Sequence, residues 1–204
     1  MNHFARLIGV GGSGDPLSAV NDHRRTALRS LTTVANLILL LAGSSAAAQT
    51  APPASQHGSV AQTVNTTVIT VHYDRPSARG RTLFGEEGIV VYDALWTPGA
   101  NRATILELSR PVRIAGHEVP AGKYGLWTIP QEGAWTLILN SHWDTSHSIY
   151  PGDATDVLRT TVQPERGSPM ETLAFYFPIV GPYNATLRLH WGDLILPLPI
   201  EVDR

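Results

Sequence analysis

From residue 58 onward, no stretch carries the three-to-four-residue spacing of apolar side chains that a helix needs to bury one face. Almost every apolar run there is short, rich in β-branched or aromatic residues, and closed by Gly, Pro, Asn or Asp. That punctuation specifies strands and turns. In residues 67–73 (TVITVHY), Val68, Thr70 and His72 fall on one face of a strand, and Ile69, Val71 and Tyr73 on the other. Val60, Gln62 and Val64 alternate in the same way. Further strands are expected around 89–92, 103–108, 112–114, 124–129, 135–140, 157–162, 172–177, 186–191 and 194–202, about ten in all. Parallel pairing is usually made through crossover helices, and no helical pattern is found from residue 58 onward. The expected fold is therefore all-β: a single antiparallel β-sandwich, jelly-roll-like, of about ten strands.

The turns support that reading. Ala115-Gly116-His117 lies between two short apolar runs and predicts a tight hairpin. Pro120-Ala121-Gly122 leads into a strand at Tyr124, and Gln131-Glu132-Gly133 joins 124–129 to 135–140 as an antiparallel pair. Pro197 and Pro199 interrupt the last apolar run and predict a sheet edge, because proline has no N–H to give to a ladder.

Residues 1–48 fall outside this pattern. Arg24, Arg25 and Arg29 precede an apolar run over 31–42, which ends in small residues and Ala46-Ala47-Ala48. The run is shorter than the roughly 20 apolar residues that span a bilayer. It reads as a helical signal segment cleaved after Ala48, with a start near Val20 as the alternative to Met1. Arg24-Arg25 admits the twin-arginine route, but Thr26-Ala27-Leu28 fits the ordinary secretory route better. The mature protein is expected to be periplasmic or extracellular, with no transmembrane segment once the leader is removed. Residues 49–57 (QTAPPASQH) read as a flexible tether and 58–204 as one domain. The chain contains no cysteine, which excludes a lipid-modified cysteine, a disulfide and a thiolate metal site. The part beyond residue 48 holds eleven basic and fifteen acidic residues, a net charge of −4, which disfavours a nucleic-acid partner. Its one lysine is Lys123.

Three segments resemble the successive signatures of the bacterial domain of unknown function 2911 family. They are His72-Tyr73-Asp74-Arg75-Pro76 with Arg79-Gly80-Arg81, then residues 96–104 (WTPGANRAT), then residues 120–130 (PAGKYGLWTIP), followed by 135–140 (WTLILN). The resemblance spans about residues 56–202. It implies an exported protein and brings no established activity. Where members carry Trp-Arg-Thr-Gly-Ala-Asn-Glu, this chain has Thr97, Pro98 and Arg102, so any role of that turn would rest on Trp96, Asn101 or the backbone.

Two connections exceed the usual length of a structureless loop, residues 74–88 and 141–156, and these are where chemistry is expected. Asp74, Arg75, Arg79, Arg81, Glu86 and Glu87 crowd the first, and arginine forks suit carboxylate or phosphate. Trp96, Asn101, Lys123 and Trp143 complete the candidate ligand-binding set; Trp127, Trp135 and Trp191 lie in strand patterns and are expected in the core. His142, Asp144 and His147 carry the imidazole nitrogens and carboxylate oxygens of a divalent-metal site. No G-x-S-x-G elbow, cysteine nucleophile, P-loop or dinucleotide fingerprint is present. The reading is a non-catalytic module that needs no cofactor and binds a small molecule, a glycan or an envelope partner. The alternative is a metal- or carboxylate-dependent hydrolase built on residues 141–156.

Overall fold

The structure is a computed structural model that describes residues 52–204; the leader and its cleavage site lie outside the described residues. Ten strands follow one another: β1 (Gln56–Val64), β2 (Thr67–Arg75), β3 (Thr104–Leu108), β4 (Val112–Ile114), β5 (His117–Val119), β6 (Gly122–Ile129), β7 (Trp135–Asn140), β8 (Asp156–Val162), β9 (Glu165–Val180) and β10 (Asn184–Val202). They form two antiparallel sheets, ordered β1-β2-β3-β6-β7-β8 and β5-β4-β10-β9. The all-β sandwich expected from the alternation is what the chain adopts. The only helical element among the described residues is a single 3₁₀ turn, Asp153–Thr155.

The core lies between the sheets. Ile69 and Val71 of β2, Leu106 of β3, Leu137 and Leu139 of β7, and Leu173 and Leu187 of the opposing sheet are wholly or almost wholly buried. Each such side chain contributes about 1.5–3 kcal/mol on leaving water. Tyr73 and Phe175 meet edge to face across the sheets at 4.8 Å, and the Phe175 N–H donates to the Tyr73 hydroxyl at 3.1 Å. Trp135 and Trp191 are buried in this core as expected. Trp127 is also buried, but on the outer face of β6, where it packs with Ala103 and Ile138 under Tyr150. Its indole N–H finds no hydrogen-bond partner among the described residues.

The hairpin at 115–116 closes as predicted: Ala115 and Gly116 both take positive φ, 49° and 83°, and Ile114 pairs with His117. A two-residue turn of that conformation matches strand twist.

Four expectations are corrected. Residues 89–92 form no strand: only Val90 is buried, while Ile89 and Val91 are exposed, so the run is a loop anchored at one residue. The strands expected at 186–191 and 194–202 are one, β10, which bends at Gly192 (φ 57°) without ending. Pro197 and Pro199 are not on an edge strand, since β10 lies between β4 and β9. They fall between its two paired stretches: pairing with β9 ends at Ile195 and pairing with β4 begins at Ile200. Finally, β1 begins at Gln56, so the last residues of the expected tether belong to the sheet.

Candidate functional site

The 28 residues between β2 and β3, 76–103, contain no strand, yet they are closely fixed. The Trp96 N–H donates to the Thr128 carbonyl at 2.8 Å and the Thr128 N–H returns to Trp96 at 2.7 Å. Thr97 donates its hydroxyl to the Leu126 carbonyl at 2.8 Å and accepts from the Thr104 N–H at 3.0 Å, while the Thr104 hydroxyl donates to the Pro98 carbonyl at 2.8 Å. Gly99 presses so closely on this knot that a Cβ there would lie 2.7 Å from Thr104 Oγ1. Earlier in the connection, Ala78 N–H donates to the Glu171 carbonyl at 2.8 Å, and Arg79 N–H to the Glu171 carboxylate at 2.7 Å. The connection is thus fastened to β6 at one point and to β9 at another.

Between those fastenings lies a cleft of about 360 Å³. Its aromatic wall is Trp96, stacked on Trp191 with centroids 6.2 Å apart and planes at 17°; Phe84 and Trp135 brace the pair from the core. Ser77, Arg79, Arg81 and His147 also line the cleft. Arg81 is aimed by donating to the Ala78 and Ser77 carbonyls at 2.9 and 2.8 Å. Arg79 donates one guanidinium N–H to the Ala54 carbonyl at 2.9 Å. A guanidinium has five N–H donors, so both keep donors for a ligand. Among the described residues lining this cleft there are two arginines and a histidine, and no Asp or Glu.

The expected binding residues divide. Arg79, Arg81 and Trp96 reach the cleft; Asp74 and Lys123 line a separate depression on the outer face of the six-stranded sheet. Trp143 lies under Lys123, whose ammonium is 5.3 Å from its ring centroid. Asn101 sits between the two places, donating to the Asp74 carboxylate and to the Ser55 carbonyl. Arg75 enters neither; it donates to the Leu173 carbonyl at 3.2 Å. His57 and His72, absent from the candidate ligand-binding set, line the depression beside Asp74.

The three metal candidates do not assemble. Asp144 pairs with Arg102, His147 Nδ1 donates to the Asn101 carbonyl at 3.0 Å, and the His142 side chain is exposed. Among the described residues no group of three or more His, Asp or Glu side chains is placed to hold an ion. The loop that carries them is instead a cover for Trp127. Tyr150 stands edge-on to that indole at 5.4 Å and donates its hydroxyl to Asp156 at 2.7 Å, while Arg159 pairs with Asp153 and Asp156. Burial, followed by the hydrogen bonds to Asp156 and Asp153, pushes the Tyr150 hydroxyl well above its ordinary pKa. Asn140 ties the loop down from beneath, donating to Gly152, Thr155 and Asp156.

A family model described as "Protein of unknown function (DUF2911)" matches residues 55–200, which covers the whole sandwich except the last two residues of β10. The chain belongs to the DUF2911 family. The match begins at Ser55, so Ser55 at the cleft and His57 at the outer depression both lie within the DUF2911 domain. No curated protein and no solved structure matches the chain. Among the described residues no helix is long and apolar enough to cross a membrane.

Proposed function

We propose that this DUF2911 protein is an exported, non-catalytic module that takes a small anionic ligand into the cleft between Trp96 and the two arginines, an acidic sugar being the class that fits best. The observation that carries this is the make-up of the lining: among the described residues Arg79, Arg81 and His147 line the cleft and no Asp or Glu does, in a chain where acids outnumber bases. Arginine forks bind carboxylates bidentately, and hydrogen bonds to charged groups contribute about 1.5–3 kcal/mol each. The half-buried face of Trp96 supports the sugar ring, as aromatic platforms do for apolar ring faces. The volume is that of a small-ligand site, which runs from roughly 300 Å³ upward. Export rests on the leader over residues 1–48.

A thermal-shift titration with glucuronate, galacturonate and the neutral parent sugars tests the reading, since a ligand that binds only the folded state raises its apparent stability. The acidic sugars should raise the midpoint and the neutral ones should not, and the response should vanish in the Arg79→Ala, Arg81→Ala double variant. No response to either acid, or an equal response in that variant, overturns it. N-terminal sequencing of the exported product should begin at Gln49; a start well before that residue removes the export reading.

A further inference from the structure

The depression on the outer face of the six-stranded sheet has a volume of about 280 Å³ and an apolar floor of Ala103 and Ile105. Strand register places its walls. In the β1–β2 ladder Ser59 faces His72 and His57 faces Asp74, so both imidazoles rise on one face, their centroids 6.2 Å apart and their planes at 10°. Across β2, β3 and β6, His72 stands opposite Ile105 and Glu107 opposite Lys123, which seats Ile105 between the histidines and the lysine. The Trp143 ring lies beneath the Lys123 ammonium and holds it at the rim.

Asp74, among the described residues the one carboxylate lining this depression, and the neighbouring Glu107 and Asp144 are already engaged. Asp74 takes His57 Nδ1 at 3.2 Å and the Asn101 amide at 3.1 Å; Glu107 lies 3.4 Å from Lys123 Nζ and 3.8 Å from His72 Nε2. Asp144 is held by Arg102. An ammonium has three donors and a guanidinium five, so what remains to be satisfied here is donor capacity above an apolar floor. We propose that this depression is a second ligand site, for a small monocarboxylate with an apolar or aromatic body. The body rests on Ile105 and Ala103, and the carboxylate accepts from Lys123, with Arg102 as a further donor. The site shares no lining residue with the arginine cleft and does not rest on the function proposed for it.

Because Lys123 is the only lysine, reductive ¹³C-methylation gives a single side-chain dimethylammonium resonance, with charge and one N–H retained. Titration with benzoate and hexanoate should move that resonance saturably. Benzamide, or chloride at equal ionic strength, should not. The half-buried, outward-facing Ile105→Glu variant should abolish the response, and the exposed Arg102→Ala variant should weaken it, each checked for an unchanged far-ultraviolet circular dichroism spectrum. The Arg79→Ala, Arg81→Ala double variant should leave it intact. A non-saturating shift, a shift shared by benzamide, or a full response in Ile105→Glu overturns the proposal; if Ile105→Glu does not fold, a full response in Arg102→Ala does so.

Discussion

Asn101 donates its side-chain amide to the Asp74 carboxylate at 3.1 Å, and in doing so ties the turn after Gly99 to the end of β2. The same amide reaches the Ser55 carbonyl at 3.3 Å, and the residue sits at φ 59°, a conformation that asparagine tolerates better than most. One side chain therefore joins the edge of the cleft, the edge of the outer depression and the segment leading into β1.

Asn101→Ala should lose both bonds and also force a Cβ residue without local polar compensation into the left-handed region, for a total cost of about 1–2 kcal/mol. Asn101→Gly loses the same bonds without that strain and should cost less. Urea unfolding of the two variants separates the terms; equal losses would mean that the backbone conformation contributes nothing.

Tyr150 makes an alkaline prediction. Its folded pKa is raised above the ordinary 10.0, so above that pH the unfolded chain gives up a proton that the folded chain keeps. The contribution of Tyr150 is fully present below pH 10 and is lost as pH rises from there. Tyr150→Phe should be less stable than the parent at neutral pH, by about 1–2 kcal/mol, and the gap should narrow above pH 10. Unfolding midpoints across pH 7–11 check this; a constant gap would show that the hydroxyl proton is not what couples the loop to pH.

Gly99→Ala should destabilise by about 1–3 kcal/mol, because its Cβ would lie 2.7 Å from Thr104 Oγ1 and 3.4 Å from the Asp74 carbonyl. The strained atoms belong to the knot that aims Trp96, so the acidic-sugar response should fall as well. Stability loss with an undiminished response would detach the knot from the cleft.

Dialysis against a chelator should leave the thermal midpoint unchanged, given that Asp144 is held by Arg102 and His147 by the Asn101 carbonyl. A fall of several degrees, reversed by zinc, would return the loop over 141–156 to consideration as a metal site.

Much of the sandwich is legible in the chain because alternation at 67–73 and the turn at 115–116 act locally. Residues 89–92 mislead for the same reason. Four consecutive β-branched or aromatic residues look like a strand, yet that Val90 alone is drawn inward depends on the same connection folding back on itself, where the Val90 N–H donates to the Leu83 carbonyl and the Gly85 N–H to the Val90 carbonyl. The two apparent strands at the C-terminal end merge because Gly192 lets a strand bend as easily as stop. The ligand-binding candidates were visible as residue types, but their separation into two places comes from long-range packing that spacing along the chain does not encode. His57 and His72 were within reach. Once the turn at 65–66 pairs Val64 with Thr67, counting back along the ladder sets His57 against Asp74 and Ser59 against His72.

Residues 54–57 border both depressions, with Ala54 and Ser55 at the cleft and His57 at the outer groove. This bears on how the protein is handled at the bench. An affinity tag or fusion partner joined just ahead of Ala54 would crowd two entrances at once and could mimic the absence of binding. One joined after Arg204, which lines neither, would leave both open.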